Sequence, residues 1–113
     1  MTVTSLLVVD DNSTNLTLFR HLLQKIENAQ VQCFSDAVGA LDWCARNEPD
    51  LILLDYMMPV MDGLEFIRRL QAMPERRDVP IVMVTADTES EVRHQALTLG
   101  AQDFLTKPVD KVE

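Results

Sequence analysis

A chain of 113 residues, 47% hydrophobic and 25% charged, can bury one core and has the size of one domain. Its net charge of −8 and pI near 4.6 oppose direct binding to nucleic acid or to an anionic membrane. No apolar run approaches the roughly 18 residues of a membrane span, and Met1–Asp10 does not read as a signal peptide, so the cytoplasm is the expected location.

Taken in chain order, Ser5–Val9 is a short apolar strand that runs into Asp10-Asp11-Asn12. A helix pattern follows from Ser13, with Leu16, Phe19, Leu22, Leu23 and Ile26 on one face and Asn12 or Ser13 as its cap. Val31–Phe34 is a second strand. Ser35 or Asp36 caps the next helix, whose apolar face is Val38, Leu41, Cys44 and Ala45, and Asn47-Glu48-Pro49 ends it. Leu51–Leu54 is the third and most apolar strand. Asp62-Gly63 opens a helix carrying Leu64, Ile67 and Leu70, which ends near Pro74, and a charged loop, Glu75–Asp78, leads to the strand Ile81–Val84. Asp87 or Thr88 caps a helix with Val92, Ala96 and Leu99, stopped by Gly100, and Gln102–Leu105 is the last strand. Cys33 and Cys44 lack the spacing of a zinc or redox motif and read as buried small hydrophobes. His21 and His94 stand alone on polar helix faces and receive no role.

Strand and helix alternate five times, and the central strands are continuously apolar. That pattern predicts a doubly wound α/β domain, a parallel sheet with helices on both faces.

The stretch LILLDYMMPVMDG at 51–63 poses the chemical question, because a strand that reads as fully buried ends on a carboxylate. Such a group is costly unless it is paired or has chemistry to do. The first strand also ends on acids, Asp10 and Asp11, while the fourth ends at Thr85 and the fifth at Lys107. In open parallel sheets the ligand site lies off the carboxyl ends of the strands at the switch in strand order. With the order 2-1-3-4-5, Asp10, Asp11 and Asp55 would converge, with Thr85 and Lys107 across from them. Three carboxylates repel more strongly than one lysine can offset, whereas Mg²⁺ with oxygen ligands can neutralise them. Metal, Lys and Thr around a nucleophilic carboxylate are equipment for phosphoryl transfer. Taken singly, each acid is better read as a helix cap or loop residue, and Asp62-Gly63 as a turn and helix start only, but five matching residues on four strand ends shift the balance to function.

The segments VVDDN (8–12), LILLDYMMPVMDG (51–63), IVMVTAD (81–87) and DFLTKP (103–108) together resemble the receiver domain of two-component response regulators. The resemblance implies a flavodoxin-like five-stranded parallel sheet in the order 2-1-3-4-5, with residues 1–113 forming one receiver domain. It implies Asp55 as phosphoacceptor from a sensor histidine kinase or phosphotransfer protein. Asp10, Asp11, Asp55 and the backbone carbonyl of Met57 would hold Mg²⁺, for which Mn²⁺ can substitute. Thr85 and Lys107 would bind phosphoryl oxygens, with Lys107-Pro108 a cis peptide. Phe104 and the small Ala86 would serve the conformational switch to an output domain or partner. Beyond its own phosphorylation and dephosphorylation, the domain is not expected to be an enzyme. Met57, flexible and apolar beside the phosphate, is expected to slow hydrolysis of the acyl phosphate, and Asp87 to cap the next helix.

Only Val109–Glu113 follow Pro108, so the fifth helix of this family is expected to be cut short and a C-terminal output domain to lie outside the chain. A missing helix would bare apolar surface and favour self-association, as a homodimer, or lower stability. The stretch at 54–87 is also similar to receivers that precede HD-GYP cyclic-di-GMP phosphodiesterase domains. A haloacid dehalogenase-type phosphatase needs a second Asp two residues after the nucleophile, where this chain has Met57. A pseudo-receiver that binds without being phosphorylated has usually lost one of the five key residues, all of which are present here. A dinucleotide site needs G-x-G-x-x-G directly after the first strand, where Asp10-Asp11-Asn12-Ser13 offers no glycine.

Overall fold

The computed structural model describes residues 3–85 and 90–106, and of residues 85, 90–92 and 104–106 the backbone alone. The elements are β1 (Thr4–Val9), α1 (Ser13–Leu23), β2 (Ala29–Phe34), α2 (Ala37–Arg46), β3 (Leu51–Leu54), α3 (Gly63–Gln71), a 3₁₀ turn (Pro74–Arg76), β4 (Ile81–Thr85), α4 (Ser90–Leu99) and β5 (Asp103–Thr106). The strands pair in parallel in the order β2-β1-β3-β4-β5. This is the doubly wound order that the resemblance implied. The expected fifth helix, with Lys107 and Pro108, falls outside the described residues, as do Ala86 and the predicted cap at Asp87 or Thr88.

Alternate residues of a strand point to opposite faces, and the two apolar clusters follow that rule. Leu7, Val9, Ile52, Leu54, Ile81 and Met83 face α2 and α3, where Ala40, Cys44, Leu64, Phe66, Ile67 and Leu70 complete the larger core. Val8 and Val84 face the other way, against Phe19, with Leu16, Leu23 and Leu53 at the margin. Each large side chain buried this completely contributes about 1.5–3 kcal/mol. Among the described residues, the larger of the two clusters lies on the α2–α3 face.

Helix starts follow the local chemistry. Asn12, Asp36 and Asp62 each accept a hydrogen bond from the backbone N–H three residues on, at Asn15, Gly39 and Glu65. Of the paired alternatives in the sequence, Asn12 and Asp36 are thus the caps. Helix α1 stops at Leu23, and two tight i→i+3 bonds carry the chain through Lys25 and Ile26. Asn28 then takes the left-handed conformation (φ 64°) that turns it into β2. Ile26 consequently lies beyond the helix and is exposed, contrary to its predicted place on the apolar face. Val38 is likewise exposed, since Ala37, Ala40, Leu41 and Cys44 form the buried stripe of α2. Gly100, at φ 120°, ends α4 as expected.

The charged loop after α3 is more ordered than its composition suggests. The Arg76 guanidinium reaches back to α2, its Nε donating to the carbonyls of Cys44 (2.8 Å) and Asn47 (3.0 Å). Those are C-terminal carbonyls that the helix itself cannot satisfy. Cys44 is buried and Cys33 only half-buried. Burial pushes the Cys44 thiol up to about 11 from its ordinary value of 9.0, against the opposing pull of Arg76.

One contact fixes α3 to the end of β3. The Gly63 N–H donates to the carbonyl of Tyr56 at 2.8 Å. A Cβ on Gly63 would stand 2.6 Å from the backbone oxygen of Asp55 and 3.1 Å from the Met83 side chain. Alanine is worth about 1 kcal/mol more than glycine inside a helix, but overpacking costs about 1–3 kcal/mol, and here the obstacle is backbone that cannot swing aside. Gly63→Ala should therefore lower the urea unfolding midpoint, and a higher midpoint would show that the contact is loose. Cys44 yields a pH prediction. A thiol whose pKa is higher folded than unfolded contributes stability that is whole below about pH 9 and is lost as the pH rises toward 11. The wild type should lose stability across that window more steeply than Cys44→Ala, and equal slopes would refute the shift.

Candidate phosphoacceptor and metal site

The carboxyl edge of the sheet is built by extending its ladders one residue beyond β1 and β3. Val9 pairs with Leu54, so the next residues, Asp10 and Asp55, leave neighbouring strands side by side. Each is pinned by a backbone bond. The Asp10 N–H donates to the Phe34 carbonyl of β2 (3.1 Å), and the Asp55 N–H to the Val9 carbonyl of β1 (2.9 Å). Since β1 carries β2 on one edge and β3 on the other, this is the switch point of the sheet.

Asp10 and Asp55 are the buried acids of the described core, 2% and 6% exposed, while Asp11 faces solvent. One carboxylate oxygen from each of the three lies within 4.8 Å of the others. Among the described residues, every buried side-chain nitrogen or oxygen has a hydrogen-bond partner. For Asp10 two of these are local. Its Oδ1 accepts from the Asn12 backbone N–H at 2.9 Å, and its Oδ2 from the Asn15 side-chain amide at 3.3 Å. The sequence reading used Asn12 only as a cap and assigned nothing to Asn15. The signal available was an Asn two and five residues after the first acid of the pair, at the entry to the helix.

The loop at 56–62 closes the site on one side. It lines a cavity of about 470 Å³ with Tyr56, Met57, Met58, Pro59 and Asp62, opposite Asp11. Asp62 is spent on capping α3, as expected. Met57 stands at the rim, 66% exposed, while Met58 and Met61 turn inward. Val60 adopts φ 73° inside a γ-turn closed by a 2.7 Å bond from the Met61 N–H to the Pro59 carbonyl. A left-handed conformation is costly for a β-branched residue, and Val60 is 96% exposed, so the strain serves the course of the loop and not packing.

Hard, anionic oxygens on two buried strand ends and one open side fit a small divalent cation that keeps part of its water. The donor set therefore suits Mg²⁺. Of the other predicted residues, Thr85 closes β4 and pairs with Thr106 of β5, which puts both on the same edge of the sheet. Phe104 pairs with Met83 within β5 and β4. The side chains of Thr85 and Phe104 fall outside the described residues, together with Lys107, Ala86 and Pro108. Thus the three acids of the predicted metal set are drawn together, and of the predicted phosphate and switch residues Thr85 and Phe104 are located by strand register alone. No described helix is long and apolar enough to cross a membrane.

Comparison with known proteins agrees with the fold and the acid cluster. The family model described as the response regulator receiver domain matches residues 6–113. The cyclic di-GMP phosphodiesterase response regulator RpfG of Xanthomonas campestris is 43% identical over 106 residues, 93% of this chain and 28% of that protein. The response regulator PleD of Caulobacter vibrioides is 45% identical over 107 residues, 95% of this chain and 23% of that protein. The chain thus spans about a quarter of the length of these relatives. Among solved structures, the chemotaxis protein CheY4 of Vibrio cholerae superposes with a TM-score of 0.89 at 29% identity, covering 96% of this chain and 90% of that one. The receiver domain of the sensor histidine kinase PA1611 of Pseudomonas aeruginosa, with a magnesium ion coordinated in its active site cleft, gives 0.86 at 31% identity, with coverage of 96% and 88%. A family match over nearly the whole chain, on the observed order β2-β1-β3-β4-β5, leaves one assignment: this chain belongs to the response regulator receiver domain family.

Proposed function

We propose that the domain accepts a phosphoryl group on Asp55 from a sensor histidine kinase or phosphotransfer protein, in a Mg²⁺-dependent reaction, and passes the change to an output domain or partner. The observation that carries this reading is the gathering of Asp10, Asp11 and Asp55 at the sheet's switch point, with carboxylate oxygens within 4.8 Å.

In this reading Asp55 is the nucleophile. Its carboxylate oxygen attacks phosphorus, the phosphorus–nitrogen bond to the donor histidine breaks, and the imidazole leaves with the electron pair. The result is an aspartyl phosphate. A bound Mg²⁺, for which Mn²⁺ can substitute, supplies charge neutralisation for the carboxylates and the incoming phosphoryl oxygens. Asp10, Asp11, Asp55 and the Met57 backbone carbonyl would hold that ion. The ladder bond from the Asp55 N–H keeps the nucleophile from retreating, and the exposed side at Asp11 leaves a path for the donor.

Thr85 and Lys107 are assigned to the phosphoryl oxygens. Phosphoryl binding draws Thr85 inward, and Phe104 repacks into the space beside Ala86, a shift of population between two packings. Phe104 in place of the commoner Tyr gives that switch no hydroxyl. The Lys107-Pro108 bond is assigned as cis. Met57 at the rim shields the phosphoryl from water. RpfG is by name a phosphodiesterase response regulator, and an output unit of that enzymatic class is one candidate for this receiver to govern. The domain itself catalyses only its own phosphorylation and dephosphorylation, in the cytoplasm.

Incubation with acetyl phosphate and Mg²⁺, followed by intact mass, tests the reading. A gain of one phosphoryl group is expected that requires Mg²⁺, is removed by hydroxylamine and is absent in Asp55→Asn. A folded wild type that gains nothing would reject it in favour of a binding module that does not signal by phosphate.

A further inference from the structure

Both carboxylate oxygens of Asp10 accept hydrogen bonds from the start of α1, and one of these donors is a side chain that the site does not otherwise use. Oδ1 accepts from the Asn12 backbone N–H (2.9 Å) and Oδ2 from the Asn15 side-chain amide (3.3 Å). The carboxylate of a buried strand end is thereby tied to the first turn of α1. Asn15 is itself fixed, because its backbone N–H donates to Oδ1 of the capping Asn12 at 3.1 Å. Two donors on different oxygens remove the rotation about the Cβ–Cγ bond that either alone would permit. A carboxylate has about four acceptor sites, so accepting these two bonds is compatible with ligating a cation.

We infer that Asn15 is a positioning residue for the metal site: its side-chain amide sets the orientation of the Asp10 carboxylate and so raises the affinity for Mg²⁺. The inference rests on the reading of Asp10, Asp11 and Asp55 as the metal-holding set. Outer groups that orient a metal-ligating side chain typically change affinity by about 10–100-fold when removed. The 3.3 Å length and partial exposure of Asn15 place the effect at the lower end of that range. A purely structural role is a poor account of this side chain. Its amide donates to Asp10, while the job of capping the first turn of α1 falls to Asn12, which accepts from the Asn15 backbone N–H.

The test compares wild type, Asn15→Leu and Thr14→Gly by Mg²⁺ titration calorimetry, with urea unfolding in EDTA as the measure of stability. Leucine keeps the volume of Asn15 without its donor, and glycine at the exposed neighbour Thr14 weakens the same helical turn without touching Asp10. Asn15→Leu should bind Mg²⁺ about tenfold more weakly at nearly unchanged stability, while Thr14→Gly should lose stability at unchanged affinity. The Asp10 carboxyl ¹³C resonance of the metal-free protein should move in Asn15→Leu and stay in Thr14→Gly. Equal Mg²⁺ affinity in wild type and Asn15→Leu, or loss of affinity in proportion to stability in both variants, would overturn the inference. A wild type that binds no Mg²⁺ would instead overturn the reading of the site on which it rests.

Discussion

The structure depends on mutual repulsion among carboxylates that the sheet does not allow to move apart. Asp10 and Asp55 extend adjacent parallel strands, so their separation is set by backbone pairing and not by side-chain preference. Neighbouring strands lie about 4.8 Å apart, and Asp11 is the next residue along one of them. A chain that wanted only a stable sheet would place apolar or hydrogen-bonding neutral residues there. Keeping the acids gathers negative charge that a divalent cation can offset, and that charge is what makes the site responsive to one.

The remaining architecture keeps this edge rigid. The larger core on the α2–α3 face fixes β1, β3 and β4 relative to one another. Gly63 lets α3 begin directly against the Asp55 carbonyl. The γ-turn at Val60 folds the 56–62 loop back so that Met58 and Met61 anchor it inside while Met57 stays at the rim. Arg76 closes α2 from the far end of α3. Rigidity of the supporting shell is what allows charge to be used for function, because a soft edge would relieve the repulsion by moving.

Much of this was legible in the sequence for an identifiable reason. Buried parallel strands are written as unbroken apolar runs, so the acids that end LLVVDD and LILLD stand out as misfits, and misfits at the ends of core strands mark sites. Boundaries were less legible where two local signals competed. Ile26 keeps helical spacing, but Asn28 needs a left-handed turn, and the chain leaves the helix at Leu23 first. Val38 has the right period yet sits where small Ala37 and Ala40 already fill the contact. Arg76 and Asn15 could not be read at all, because each acts on a partner defined by tertiary approach or by a rotamer. Charge in a loop and an amide on a polar turn look the same whether or not they hold something.

The central claim is that the three acids cost the apo fold stability that a cation restores. The most direct measurement is the urea unfolding midpoint of wild type and Asp11→Asn, each with and without saturating Mg²⁺. Wild type should gain stability with Mg²⁺ as mass action requires, by about 2.7 kcal/mol at a hundredfold excess over the dissociation constant. Asp11→Asn should be the more stable protein in EDTA and gain less from the ion. A wild type indifferent to Mg²⁺, or an Asp11→Asn variant less stable than wild type in EDTA, would contradict the account.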